Sequence, residues 1–493
     1  MHAQIGVFLP NPKYLMANKE KISPALFAAI LATGLMTFSG VVSETAMDTR
    51  TAVVSTTANS PNSRPTFPTL MREFVIDTST VQWLTTAYLL VLALIIPLST
   101  WLNKNFATKA LFITANLIFI AGTLFGAFAS GFVPLLTGRI LQGAGTGIAL
   151  PLMFNIILTQ APKTRIGFIM GMASLIVAMA PAVGPVLAGV VIDRYGWRTI
   201  FLILLPLMGV SLILGLSSIK PIRPLTPEKI NLPDYALLVT TFSSFVFATE
   251  KASAHGWFSG TVGGLLALAA TTLGIFTIRS LRGNAPLVNL RVFTNPVFVQ
   301  GMLFVLLIQF CVLALGYLIP NYAQLANGTS ATLSGLLLLP GCLLGACIAP
   351  VSGTVYDRLG ARKPILSGAL ILLATLTAFA ILGKILTTAL FMGIYTAYCL
   401  GQGFAVGNTT THSLAALPRE QSADGNAVLN TLQQLAGTVG TSVAASLVAS
   451  AQRANPSQLA IATRDGSQHA FILLAVLAFI ALISVGRALR QTR

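Results

Sequence analysis

The sequence predicts an all-α polytopic membrane protein, and three observations carry that reading. Of 493 residues, 55% are hydrophobic and only 9% charged, which is more apolar surface than one soluble globule can hide, so the bilayer must act as solvent. Apolar runs of about 20 residues, the length that crosses a hydrocarbon core of about 30 Å, recur along the whole chain. The third is the stretch from Gly171 to Phe201, where Gly184, Pro185, Ala188 and Gly189 stand inside an uncharged run from Gly167 to Ile192. In an isolated helix, interior glycine costs about 1 kcal/mol against alanine and interior proline about 3. In a membrane bundle, small residues admit a close neighbour, and neighbours satisfy the carbonyl that proline frees. The run therefore reads as a kinked, closely packed membrane helix and not as a turn in a soluble core.

In chain order, spans are expected at 22–46, 80–101, 109–130, 133–157, 167–191, 199–218, 234–252, 259–279, 296–320, 331–355, 364–383, 387–410, 426–449 and 469–487, about fourteen in all. With both termini in the cytoplasm, about 20 Lys/Arg face inward and about 9 outward, which satisfies the positive-inside rule. The first span follows some twenty polar or mixed residues without a small-residue cleavage site, so it is expected to remain as an anchor. Between Met47 and Phe67, Ser, Thr, Asn and Pro predict a flexible external loop, reaching to residue 79. The segment Pro221–Pro233, PIRPLTPEKINLP, is polar and proline-rich, cannot continue a helix, and is expected as a cytoplasmic linker.

Several function classes are excluded or disfavoured. The net charge of +17 is scattered singly between apolar runs, which argues for membrane topology over nucleic-acid binding. No GxxxxGK[ST] phosphate loop is present, which disfavours an ATP-driven pump. His2, His255, His412 and His469 lack metal-site spacing, and Cys311, Cys342, Cys347 and Cys399 all fall inside expected spans, where free buried thiols are anticipated. No nucleophile arrangement stands out. The reading is a non-enzyme without cofactor or metal. Asn327, Gly328 and Thr329 fit a glycosylation acceptor, which requires a secretory-pathway cell.

The order Gly171, Ala180, Gly184, Pro185, Ala188, Gly189 resembles the antiporter motif on the fifth helix of major facilitator superfamily drug exporters, with Ala180 and Ala188 in place of two glycines. The following Asp193, Tyr195, Gly196, Trp197, Arg198 and Phe201 are similar to the fourteen-helix, EmrB/QacA-type drug/proton antiporter branch. The resemblance spans nearly the whole chain. It implies a major facilitator fold: a cytoplasmic N-terminus (1–21), a six-helix half (22–218), the linker (219–233), two extra central helices (234–280), a second half (281–487) and a cytoplasmic tail (488–493). Ser99–Lys109 and Gly353–Lys363 occupy equivalent places, each between the second and third helix of its half. The second copy is close to the superfamily's cytoplasmic-loop signature, with Gly353, Asp357, Arg358, Gly360 and Arg362 in place, expected to form an inner gate. In the first copy, Asn103, followed by Lys104, stands where the family has an acid, and Ala107 where it has glycine.

Among only 13 acidic residues, Glu44 is the acid set deepest in a span. An ionisable group at that depth marks a transport pathway by default, although at an outer helix end it would be merely solvated. Arg139 in the fourth span cannot discard its proton, so burial forces it onto carbonyl or carboxylate partners. With Gln142, Gly143 and Gly147 it resembles the family's fourth-helix motif, which implies a role in proton coupling, shared with Glu44. Asp193, Arg194 and Arg198 are expected as an external helix-end cluster.

Polar and aromatic residues sketch a substrate pocket: Trp83, Tyr88, Asn155, Tyr317, Asn321, Tyr322, Gln324, Gln402, Asn408, Asn426, Asn430, Gln433 and Gln434. An apolar cavity with aromatic faces suits lipophilic, often cationic compounds, while helix packing or an interfacial belt explains any one of these residues equally well. The expectation is a proton-coupled exporter working by alternating access in the cytoplasmic membrane as a monomer, with protons and small lipophilic molecules as its partners. The alternatives are an exporter of one metabolite, peptide or siderophore, or a transport-dead sensor or scaffold.

Overall fold

A computed structural model describes residues 23–47, 70, 73–76, 78–219, 228–255, 259–283, 287–418 and 420–491. Fourteen long helices run through the described residues, and no strand occurs among them. They are α1 Pro24–Met47, α2 Thr78–Ile95, α3 Thr108–Ala127, α4 Phe132–Gln160, α5 Ile166–Tyr195, α6 Arg198–Ser218, α7 Leu232–His255 and α8 Gly260–Arg282, then α9 Pro296–Leu325, α10 Leu339–Leu359, α11 Arg362–Leu382, α12 Thr388–Ala415, α13 Ser422–Ala454 and α14 Leu459–Gln491. Among the described residues, 12 helices are long and apolar enough to cross a membrane. The small, polar sequence of α13 leaves it outside that set, while α5, whose side chains are described only in part, runs 30 residues as one helix.

The helix starts follow local chemistry. Asn295 accepts hydrogen bonds from the Val297 and Phe298 N–H groups at 3.0 and 3.1 Å, with Pro296 at the first helical position of α9. Ser259 and Thr387 cap α8 and α12 in the same way. Pro97 tightens α2 into a 3₁₀ turn over Ile96–Leu98, after which a short helix, Ser99–Asn105, carries the chain to the loop.

Each half has a core of its own, and a further cluster with Leu98, Leu238, Phe276, Phe298 and Leu414 lies between them. Leu26, Met36, Phe112, Phe119, Met153 and Met208 pack in the first half. Phe304, Leu315, Phe379, Phe391 and Phe471 pack in the second, with Phe379 stacked on Phe471 at 5.2 Å. Outside these cores the polarity of a soluble helix is reversed. Ile472, Val476, Phe479 and Ile483 form an exposed apolar stripe at helical spacing along α14, as lipid contact demands. Cys347 lies on such an outward face of α10, near Leu344 and Val351. The expectation of four buried thiols therefore holds for Cys311 and Cys399, while Cys342 is half-buried and Cys347 exposed; all four are free.

The halves repeat one packing device. A methyl on Gly122 of α3 would lie 2.6 Å from the Gly138 carbonyl of α4, and one on Gly368 of α11 would lie 2.6 Å from the Gly401 carbonyl of α12. Only glycine permits backbones this close. The loop copies also correspond, with one correction. The residue opposite Gly360 is Phe106 and not Ala107, because each follows the last turn of its helix. Gly360 has φ +81°, which favours glycine, whereas Phe106 is extended at φ −126°.

Helices α7 and α8 stand beside both halves. They are tied together by the Arg279–Asp234 ion pair at 2.8 Å and by the Thr241–Thr272 hydroxyl pair at 2.8 Å. Helix α7 packs on α2 of the first half and α13 of the second. The end of the bundle that carries Asn105, Gln160, Ser218, Leu232, Leu359 and Ser422 is called the linker end below.

Candidate functional site

Arg139 sits at the centre of the first half, fully buried, eight residues into α4. Its Nε donates to the Leu84 carbonyl at 3.1 Å. Its Nη1 donates to the Ser43 carbonyl at 3.1 Å, to Ser43 Oγ at 2.8 Å and to Gln142 Oε1 at 3.1 Å. The guanidinium lies 4.4 Å over the Tyr88 ring, a cation–π contact strengthened by desolvation. The Ser43 hydroxyl donates to Gln142 Oε1 at 3.0 Å, and Gln142 Nε2 donates onward to Thr123 Oγ1 at 3.0 Å. The Tyr88 hydroxyl stands 2.9 Å from both the Gly40 carbonyl and Thr146. Helices α1, α2, α3 and α4 thus converge on one permanent cation held by oriented oxygens.

Glu44 follows Ser43 on α1, is partly exposed, and acts electrostatically on the same Tyr88. The two residues expected to couple protons are therefore joined through Tyr88 and the Ser43 backbone. Ser43 was not expected, since a serine in an apolar helix carries no distance information.

At the linker end the halves meet closely. Asp357 accepts from the Gly167 and Phe168 N–H groups at 2.9 and 3.0 Å, so the last turn of α10 in the second half caps the start of α5 in the first half. Just above, Gly353 faces the Gly167 carbonyl so closely that a side chain on it would collide, and Gly171 faces Ala349 in the same way. Arg358, Gly360 and Arg362 lie exposed beside this contact. On the other side of the seam, Asn426 of α13 donates to the Pro151 carbonyl at 3.2 Å and to Asn155 Oδ1 at 3.1 Å on α4, and Asn430 donates to Asn426 at 2.8 Å.

The remaining expected residues scatter. Trp83 packs against Phe247 of α7 at 5.4 Å, and Tyr322 lies in the second half's core against Phe391 at 5.0 Å. Asn321 reaches Tyr317 at 3.5 Å, and Asn408 binds Ser352 at 2.7 Å, joining α12 to α10. Gln324, Gln402, Gln433 and Gln434 are half-buried. Of the fifth-helix motif, Ala180 is buried and Gly184 abuts Thr45 of α1. Pro185, Ala188, Gly189, Asp193 and Arg194 lie within α5, but their side chains fall outside the described residues. Most of the loop expected at 47–79 is likewise outside them; its described end docks on the bundle through buried Leu70 and through Glu73.

Glu73 accepts from Trp197 Nε1 at 2.8 Å and from Arg198 at 2.7 Å, and Arg198 also donates to the Ala129 carbonyl at 2.6 Å. Arg198 thus belongs to a clamp with Glu73. Partial burial raises the Glu73 carboxyl, but the bonds from Trp197 and Arg198 and the charge of Arg198 outweigh it and hold its pKa below the ordinary carboxylate value.

The sequence model of the Major Facilitator Superfamily matches residues 51–441. A lincomycin resistance protein, LmrB of Bacillus subtilis (strain 168), is 35% identical over 478 residues, covering 95% of this chain and 96% of the relative. A multidrug resistance protein B homolog of Mycobacterium tuberculosis (strain ATCC 25618 / H37Rv) is 29% identical over 390 residues, covering 76% of this chain and 70% of the relative. An auto-inhibited peptide transporter of the POT family superposes with a TM-score of 0.61 over 96% of this chain and 98% of that structure, at 15% identity, a likeness of fold alone.

Proposed function

The chain belongs to the Major Facilitator Superfamily, and from that membership we propose that it is a proton-coupled exporter of lipophilic, often cationic compounds, lincosamide-type antibiotics among them. The observation that carries the coupling is the buried Arg139, held by Ser43 and Gln142 and stacked on Tyr88. Glu44 is the carboxyl one residue from Ser43, and it shares Tyr88 with Arg139. A proton arriving from outside neutralises Glu44, and loss of that proton to the cytoplasm restores its charge. Passenger and proton thereby occupy the pathway in turn.

Alternating access follows from the seam. The contacts of Asp357 with α5 and of Asn426 with Asn155 close the linker end, cytoplasmic in this reading, and they must part to admit a passenger from inside. With both termini in the cytoplasm, the basic residues fall on the inner face, as topology demands. The protein works as a monomer in the cell membrane, and the 234–280 pair is an addition to the two halves.

The test is efflux of lincomycin and of a lipophilic cationic dye from energised cells. Export should collapse when a protonophore dissipates the gradient. Export that survives the protonophore contradicts the proposal.

A further inference from the structure

Helices α7 and α8 leave a groove between them at the linker end. Arg279 in the last turn of α8 reaches Asp234 in the first turn of α7, so the two helices run antiparallel and their polar ends share one level. Pro233, Ala236, Leu237 and Thr240 on α7 and Ile275 on α8, together with Arg279, line a groove of about 380 Å³. Both sets keep helical spacing, so each forms one face of its helix. The Thr240 hydroxyl donates to the Ala236 carbonyl of its own helix at 2.9 Å, which leaves the walls apolar. Helix α8 is the least covered of the apolar helices among the described residues, and Leu268, Leu273, Ile278 and Leu281 are exposed along it.

Arg279 is the polar head of this groove. Its Nε donates to Asp234 Oδ1 at 2.8 Å, and Asp234, 1% exposed, accepts at its other oxygen from Asn231 Nδ2 at 2.8 Å. The guanidinium is thus pinned at one edge, while its two Nη groups make no bond among the described residues and its side chain is 47% exposed. A guanidinium fork with a free edge matches a phosphate, which it holds bidentately. Two more cations flank it in the chain. Lys229 lies just before α7 and Arg282 at the end of α8; both are exposed and belong to no ion pair among the described residues. The acid beside Lys229 does not offset them, because Glu228 is gripped elsewhere: its carboxylate accepts from Lys104 Nζ at 3.0 and 2.9 Å and its carbonyl from Trp101 Nε1 at 2.9 Å.

We propose that this groove binds one anionic phospholipid, with the phosphate on the Nη groups of Arg279, the field of Lys229 and Arg282 around the headgroup, and an acyl chain along Leu237 and Ile275. Basic recesses between membrane helices at headgroup level recognise such lipids. A choline headgroup brings its own cation toward Lys229 and Arg282, whereas a glycerol headgroup brings none, so the site discriminates between the two. With the linker end cytoplasmic, as proposed above, the lipid comes from the inner leaflet.

The test is native mass spectrometry of the full chain released from micelles that contain equal amounts of phosphatidylglycerol and phosphatidylcholine. The parent protein should retain one phosphatidylglycerol with a preference of about fivefold or more. Asp234→Asn combined with Arg279→Gln preserves the net charge and an amide hydrogen bond between α7 and α8 but removes the guanidinium, and the preference should vanish. Ala236→Trp keeps every charge and fills the groove, and should abolish the preference as well. Thermal unfolding in phosphatidylcholine alone checks that each variant is folded; Ala236→Trp, at an exposed position, decides alone if the double variant is not. Equal retention of the two lipids by the parent protein, or a preference that survives in either folded variant, overturns the site. Displacement of the lipid by glycerol phosphate would mean a phosphate site that needs no acyl chain, and overturns the lipid assignment. Neither result touches export or its coupling, since no passenger is present.

Discussion

Gln402 of α12 holds in the second half the place that Arg139 of α4 holds in the first. Each follows the glycine, Gly401 or Gly138, whose carbonyl meets its partner glycine across the helix pair. The same packing thus accepts a neutral amide in one half and a cation in the other. Packing alone does not require the charge, which makes Arg139 the asymmetric element of a repeated frame.

Arg139→Gln should consequently fold. Loss of its charge-assisted bonds to Ser43 and Gln142 should cost about 1 to 3 kcal/mol, a shift of a few degrees in melting temperature, while export falls at least a hundredfold. Thermal unfolding and efflux measured on the same membranes check this. A variant that exports normally would remove Arg139 from the mechanism.

Gly353→Val should trap the linker end open. The added side chain collides with the Gly167 backbone, which has no room to retreat inside α5. Maleimide labelling of Asn426→Cys should rise and export should drop at least tenfold, with expression unchanged. Labelling that stays at the level of the parent protein would mean that the α5–α10 contact does not close the seam.

The Glu73–Arg198–Trp197 clamp makes a pH prediction. Because the native pKa of Glu73 lies below its ordinary value, its contribution is present above the unfolded pKa and is lost as pH falls through the native one. Stability should be insensitive to this group from pH 8 to pH 5 and should decline below about pH 4.5. Glu73→Gln should remove that acid-dependent part at a loss of less than about 1 kcal/mol near neutrality, because the pair is partly exposed. Thermal unfolding against pH decides it, and identical acid profiles for the two proteins would contradict the assignment.

The legible part of the chain is what local chemistry sets. Span lengths, the linker's prolines and the Asn295 cap are written in neighbouring residues, so the expected span 296–320 lies within Pro296–Leu325 and the expected span 426–449 within Ser422–Ala454. Arg139 and Asp357 were readable because their residue types are expensive or unusual where they stand. The grip on Glu228 spans 124 residues to Lys104, and nothing in PIRPLTPEKINLP distinguishes that glutamate from a solvated one. The burial of Asp424 in the first turn of α13 was no more legible, because the Asn289 N–H that it accepts from is 135 residues away. Trp83 shows the converse: an aromatic residue in a span signals a contact without saying which, and here the contact is Phe247 of the added pair.

In the proposed function a passenger and a proton exchange through the pathway around Arg139 and Glu44. The most direct measurement is simultaneous recording of lincomycin flux and internal pH in proteoliposomes holding a preformed proton gradient. The wild type should release the gradient only when lincomycin is present, with the two fluxes in fixed proportion, and Glu44→Gln should abolish both movements. Lincomycin flux that proceeds at the same rate without a gradient and leaves internal pH unchanged would contradict the account.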